Sequence, residues 1–252
     1  MRSLIRVAGG AVRGRSHDKD GTPCQDKYYV WRAKDKKAAG IALADGAGSM
    51  PHSQIGAEYS VNAVLPFVRD HFNDFFTNPV DGGKKIVEFL LEGLSETAAQ
   101  NGLMSNDMAC TLLFVYIRCK NRTIQYVAVH IGDGVIISEQ GNEIKVLSEP
   151  ARGEYANTTI FLTSKNSASS LRIYSGVMMK PAGFMIMSDG AAESLYIKKL
   201  KSPNQVFCKQ IFNWCDKYPR KKITKALLLN LEKGVFREVS SDDCSLCVLR
   251  VT

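Results

Sequence analysis

Three strand-like apolar runs in this chain end in the same dipeptide. Residues 41–44 lead into Asp45-Gly46, residues 128–132 into Asp133-Gly134, and residues 185–188 into Asp189-Gly190. Asp26 opens another strand-like run, and the pair Asp242-Asp243 stands immediately before the last one. A single Asp-Gly is a turn signal, because the carboxylate bonds local backbone and glycine tolerates positive φ. Asp20-Gly21 and Asp81-Gly82 are read that way. Several apolar strands that each deliver an aspartate at the end are a different matter. Strand ends of packed sheets lie along a common edge, so the carboxylates would crowd there and repel unless protons or a cation neutralise them. Oxygen ligands without thiolate or imidazole select magnesium, manganese or calcium rather than zinc. The glycine after each aspartate leaves room for a water or a backbone carbonyl to come close.

The elements that must position these carboxylates follow from periodicity. Alternating β-branched and aromatic residues predict strands over 4–12, 27–32, 38–44, 108–118, 123–131, 135–138, 143–147, 158–163, 171–178, 184–187 and 244–251. Helical spacing predicts helices over 53–72, 83–99, 203–216 and 223–236, with Asp81 as a cap and Asn101-Gly102 as a stop for the second. Pro66 predicts a kink or an early end to the first helix. Two helical pairs set among many strands imply an α+β fold, with two antiparallel sheets and a helical pair on each outer face, an α-β-β-α sandwich of four layers. The meandering order argues against a Rossmann-type parallel sheet.

Composition bounds the rest. With 252 residues, 45% of them hydrophobic and 23% charged, the chain can bury one large core, and without a Pro-, Gly- or Ser-rich linker residues 1–252 read as one domain. The longest apolar stretch, 108–117, is about half a membrane span, and the start carries too short an apolar run for a secretory signal, so a cytoplasmic protein without a membrane partner is expected. Seven scattered cysteines read as reduced core thiols. None lies in the C-x-x-x-x-x-R loop that cradles phosphate around a thiolate, and no second ligand pair accompanies Cys244 and Cys247 for structural zinc. The excess of 33 basic over 25 acidic residues is +8, but it comes without interleaved aromatics or a nucleic-acid motif, so the basic runs read as solvated faces and no nucleic-acid partner is expected.

The ordered set Gln25-Asp26, Ala44-Asp45-Gly46-Ala47-Gly48-Ser49, Gly132-Asp133-Gly134, Ser188-Asp189-Gly190 and Asp242-Asp243-Cys244-Ser245 resembles the metal-dependent protein phosphatases, the type 2C serine/threonine phosphatases, along almost the whole chain. The resemblance implies Mn2+ or Mg2+, two ions with a weaker third. Asp45 would bridge the two ions, the Gly46 carbonyl would complete the second ion's shell, and Asp189 and Asp242 would bind the first ion. Asp133, with a second contact from Asp189, would form the third site, and Asp26 would orient water. Three departures stand out. Gln25 replaces a frequent glutamate, Ala47 stands where many eukaryotic members carry a histidine acid, and Gly21 stands where the phosphate-gripping arginine is usual. The nearby Arg13, Arg15 and His17 are the candidate substitutes, in a stretch that also resembles compact bacterial members. His17 suits phosphate binding or proton donation, since imidazole titrates near neutrality. His52 is an alternative donor, and His130, inside a strand, reads as structural.

The resulting expectation is hydrolysis of phosphoserine and phosphothreonine in proteins by metal-activated water, without a covalent intermediate. A counteracting serine/threonine kinase, a monomeric state and a substrate flap over 191–203 accompany it. The main alternative is a catalytically weak or inactive phosphatase-like domain that binds a phosphoprotein or signalling partner. A basic nucleic-acid-associated protein, a metal-dependent nuclease and a cyclic-nucleotide hydrolase are the remaining rivals.

Overall fold

The computed structural model describes residues 4–151 and 159–252. In chain order these form β1 (Ile5–Val12), α1 (Arg15–Asp20), β2 (Lys27–Arg32), β3 (Ala38–Ala44), α2 (Ser53–Asp70), α3 (Phe72–Thr77), α4 (Pro79–Asn101), a short helical turn (Ser105–Met108), β4 (Leu112–Lys120), β5 (Thr123–Ile131), β6 (Val135–Gln140) and β7 (Glu143–Ser148). Then follow α5 (Ser167–Ser170), β8 (Arg172–Met179), β9 (Ala182–Met187), α6 (Asp189–Leu195), β10 (Tyr196–Ile197), β11 (Ser202–Pro203), α7 (Gln205–Lys217), α8 (Arg220–Lys233), α9 (Val235–Val239) and β12 (Cys244–Val251).

Two antiparallel five-stranded sheets result, one in the order β1-β12-β9-β6-β7 and the other in the order β2-β3-β4-β5-β8. Alternation along each inner strand explains why they stack. In β4, Leu113, Val115 and Ile117 face the other sheet, while Leu112, Phe114 and Tyr116 face α2 and α4. In β12, Cys247, Leu249 and Val251 face between the sheets, while Leu246 and Val248 face α7 and α8. Successive side chains point to opposite faces, and here both faces are covered, so these strands read as continuous apolar runs. Burying each such Leu, Val or Phe contributes about 1.5–3 kcal/mol, which makes three stacked apolar layers the main source of rigidity behind the strand ends. The four-layer α-β-β-α sandwich expected from the sequence is the one found.

Several local expectations change. Residues 159–163 form no strand, and Thr158 lies outside the described residues; Leu162 N bonds Cys110 O at 2.8 Å, in a turn where Phe161 N donates to the Ser164 hydroxyl and Phe161 O accepts the Ser164 N–H at 3.0 Å. The strand expected from 108 starts only at Leu112, because Asp107 accepts the Met104 N–H and closes a tight turn first. The helix bearing Pro66 does not end there but runs on to Asp70. Asp81-Gly82 is no turn. Pro79 starts α4 earlier than expected, with Asn78 rather than Asp81 at the cap position, and Asp81 receives the Asn78 amide at 2.6 Å. Gly102 does close that helix in the left-handed conformation, φ 67°. The segment 191–203 holds most of α6 and the two-stranded ribbon of β10 and β11.

Candidate metal centre

Each aspartate is set at its strand end by bonds that leave the carboxylate free to face its neighbours. Past β3, Asp45 donates its N–H to the Thr111 hydroxyl at 2.9 Å and accepts the Thr111 N–H at 2.7 Å, and Ala47 N bonds Ala109 O at 2.9 Å. This makes Gly46 and Cys110 a bridge pair whose bonds are made by the flanking residues. The Gly46 carbonyl itself therefore points away from Cys110.

The end of β9 is tied to the start of β12. Ser188 N reaches Ser245 O at 3.1 Å and the Ser188 hydroxyl accepts Ser245 N–H at 3.0 Å. Asp189 then opens α6, and it accepts the N–H of Gly190 at 2.6 Å. A Cβ on Gly190 would stand 2.2 Å from the Asp243 carbonyl oxygen, so glycine is what allows α6 to start against the Asp242-Asp243 segment. Asp133 follows β5 and accepts the Thr159 hydroxyl at 2.5 Å. Asp26 precedes β2, is only 1% exposed, and among the described residues no group meets the hydrogen-bond geometry for either of its carboxylate oxygens.

Electrostatics shows which of these groups act on one another. Burial pushes the Asp45 carboxyl well above the ordinary range, and the charges of Asp26, Asp189, Asp133 and Asp242 push it further. Asp189 is raised to about 6 by burial and by Asp133 and Asp242, and it stands in contact with the Asp45 carboxyl. Asp26 is raised to about 7, first by burial and then by Asp243 and Asp189, with the Ser245 and Ser188 hydroxyls opposing from nearby. Every named charge acting on Asp45 is a carboxylate, which is the situation that a divalent cation relieves. A buried aspartate with two orphaned oxygens beside hard oxygen donors fits magnesium or manganese.

The candidate phosphate groups separate. Arg13 turns outward to Asp18, at 2.6 Å, where Arg237 also binds. Arg15 reaches the Ser240 carbonyl at 3.4 Å, two residues from Asp242. His17 alone of the three meets the acidic cluster, its Nδ1 being 3.0 Å from Asp243. His52 lies at the start of α2, its N–H on Asp107 O at 3.1 Å. His130 is fully buried, with Nδ1 2.8 Å from the Ser148 hydroxyl and 2.9 Å from Arg172, and burial holds its pKa well below the usual value.

The sequence reading gave Asp242 to the first ion and left Asp243 without a role, and it missed Thr111 and Thr159 altogether. Asp243 is 3% exposed and its carboxylate accepts Gly14 N–H, Gln25 N–H and His17, whereas Asp242 is exposed and its carboxylate accepts only the N–H of Asp243 among the bonds of the described residues. The one available signal is that consecutive residues entering a strand point to opposite sides.

A model of the family described as protein phosphatase 2C matches residues 13–228. The chain belongs to the protein phosphatase 2C family. It thereby joins the manganese- or magnesium-dependent serine/threonine protein phosphatases, whose substrates are phosphoproteins. A similar curated protein is serine/threonine-protein phosphatase 3 of Escherichia coli (strain K12), 27% identical over 222 residues, 82% of each chain. Among solved structures, the catalytic domain of the serine/threonine protein phosphatase PstP in complex with two manganese ions superimposes with a TM-score of 0.62 at 17% identity, covering 99% of both chains. RsbX in complex with magnesium gives 0.57 at 15% identity over 98% of this chain and 96% of that one. These two likenesses show the shared phosphatase 2C fold. The family match ends at residue 228, so Asp242 and Asp243 are tied to the site by geometry alone. Among the described residues no helix is long and apolar enough to cross a membrane.

Proposed function

We propose that this chain removes phosphate from phosphoserine and phosphothreonine side chains of proteins, with two manganese or magnesium ions at the aspartate edge. Asp45 and the Gly46 carbonyl, with Asp189 and Asp242, would hold the pair, and Asp133 with Asp189 a weaker third ion. When bound, the ions supply Lewis-acid activation of water and positive charge for the phosphate oxygens. The observation that carries this reading is the gathering of Asp26, Asp45, Asp133, Asp189 and Asp242 into one mutually repelling group.

The chain's own residues then have distinct tasks. Asp26, buried and with both oxygens unbonded, accepts the hydrogens of the attacking water and orients its lone pair to phosphorus. The water oxygen forms the new bond to phosphorus as the bond to the serine or threonine oxygen breaks, and that oxygen leaves with a proton. His17, beside the cluster, is the group placed to bind the phosphate or to give that proton. The two thiols beside the aspartates are poor nucleophiles, since burial raises Cys244 to about 12 and holds Cys24 well above its ordinary value, with neighbouring carboxylates adding to both shifts. A serine/threonine kinase is the required source of the substrate.

The test is release of inorganic phosphate from phosphoserine and phosphothreonine peptides with manganese, and its loss with a chelator. Asp45→Ala or Asp189→Ala is expected to lower kcat by at least about 100-fold, the scale on which electrostatic groups at a reacting centre act, with the fold retained by circular dichroism. Equal activity of wild type and Asp45→Ala sinks the enzymatic reading. Manganese binding and phosphopeptide binding without turnover would instead favour a phosphoprotein-binding relative, the reading that Gln25, Ala47 and Gly21 support.

A further inference from the structure

Asp243 and Asp242 are neighbours in sequence but do opposite things. Three donors from separate parts of the chain converge on the Asp243 carboxylate: Gly14 N–H at 2.7 Å and His17 Nδ1 at 3.0 Å on Oδ1, and Gln25 N–H at 2.6 Å on Oδ2. A carboxylate has about four lone-pair positions, and at 3% exposure this one has little open surface left for a cation. A ring nitrogen of His17 and carboxylate oxygens of Asp242 and Asp243 nevertheless lie within 4.8 Å of one another, so the imidazole stands at the rim of the acidic cluster.

Packing covers the ring only in part, the His17 side chain keeping 15% of its surface exposed. Helix α1 has no buried residue and ends at Gly21 in the left-handed conformation. It is pinned through its backbone and Ser16, with Ser16 N and its hydroxyl on Ser241 O at 2.9 and 2.7 Å. At Gly14 a Cβ would meet the Asp242 carbonyl carbon at 2.3 Å, so the two loops touch through backbone and leave the His17 ring to be oriented by its bond to Asp243. A carboxylate on one ring nitrogen fixes the imidazole's orientation and its proton on that nitrogen, and presents the other nitrogen for proton transfer. In the position where the resemblance places a histidine acid, this chain has the buried Ala47.

Resting on the phosphatase reading above, we infer that Asp243 is a positioning residue and not a metal ligand: it holds His17 as the proton donor to the departing serine or threonine oxygen. In the step, the water oxygen bonds to phosphorus and the phosphorus–oxygen ester bond breaks. The alcohol oxygen takes the proton from Nε2 of His17, and solvent returns a proton to that nitrogen. Asp243 touches neither substrate nor ion.

Leaving groups separate this role from a structural one. An alkoxide needs a proton to depart, whereas a nitrophenolate does not. On a phosphoserine peptide, His17→Ala is expected to lose about 100-fold in kcat and Asp243→Asn at least about 10-fold, with little change in KM and with the double variant no worse than His17→Ala. On p-nitrophenyl phosphate each is expected to stay within about 3-fold of wild type. Added imidazole should restore peptide turnover to His17→Ala. Manganese affinity by calorimetry should be unchanged in Asp243→Asn but weakened in Asp242→Asn. In metal-free protein, proton NMR should show a downfield Nδ1–H of His17 that Asp243→Asn removes.

A drop in manganese affinity for Asp243→Asn as large as that for Asp242→Asn overturns the proposal, and so do equal losses on both phosphate esters or losses that multiply in the double variant. If Asp243→Asn fails to fold, the substrate split and imidazole rescue of His17→Ala decide. If wild type with manganese turns over neither ester, the phosphatase reading has failed, and an absent downfield signal separately overturns the His17–Asp243 geometry.

Discussion

Asp26 is the residue whose surroundings have the clearest energetic consequence. Its carboxyl, raised from the ordinary 3.8 to about 7 by burial ahead of all other causes, binds its proton more tightly in the folded than in the unfolded chain. Asp189, raised to about 6, acts in the same direction. Well below pH 3.8 both states are protonated and nothing is lost. As pH climbs from there through 7 the unfolded chain releases protons first, so metal-free stability falls across that window. A bound cation reverses the penalty, because it stabilises the ionised carboxylates. The melting temperature of metal-free protein is therefore expected to be lower at pH 7.5 than at pH 5, and the gain from manganese larger at pH 7.5. Asp26→Asn should flatten the metal-free dependence; a profile that rises with pH in wild type contradicts the account. At this scale the aspartates were legible because each stands where an apolar run stops or starts. The difference between Asp242 and Asp243 was not, since it depends on which side of the entering strand each faces and on amide donors from Gly14 and Gln25.

At the scale of elements, legibility followed length. Strands β2, β3, β5 and β12 stand within a residue of their expected bounds, since alternation over six or more positions leaves little freedom of register. Helices α1 and α6, with 6 and 7 residues, are too short for a 3.6-residue period to declare itself, yet they carry His17 and Asp189. What defines them is tertiary contact, the Gly14 loop against Asp242 and the start of α6 against Asp243. Gly14→Ala would drive a methyl into backbone atoms at 2.3 Å, which no rotamer change can relieve. The expected cost is about 1–3 kcal/mol, as for overpacking at a rigid site, read as a lower urea midpoint together with weaker manganese binding by calorimetry. Normal manganese affinity in a folded Gly14→Ala would show that the two loops do not need to touch.

Across the whole molecule, the two sheets meet through a layer that includes Ile41, Leu43, Val115, Phe184, Ile186 and Leu249, all fully buried. Phe184→Ala should cost about 3–5 kcal/mol by the scale for large buried side chains, measured by denaturant unfolding, and it should lower stability without changing the manganese stoichiometry. At the far end of this sandwich from the aspartates, the buried Arg250 and Glu139 are paired, and Arg250 also lies 3.0 Å from the exposed Asp216. The layered architecture was readable because buried alternation on both faces demands cover on both faces. The placement of the chain's two ends beside each other was not, since nothing in either strand names its partner.

Strand β12 lies between β1 and β9, both of which precede it in the chain. A ribosome must therefore hold both future neighbours in waiting, each lacking a flank, until Cys244–Val251 has left the exit tunnel. Asp242 and Asp243 stand immediately before that closing strand. On the proposed reading, the acidic centre is therefore completed in the same event that seals the first sheet.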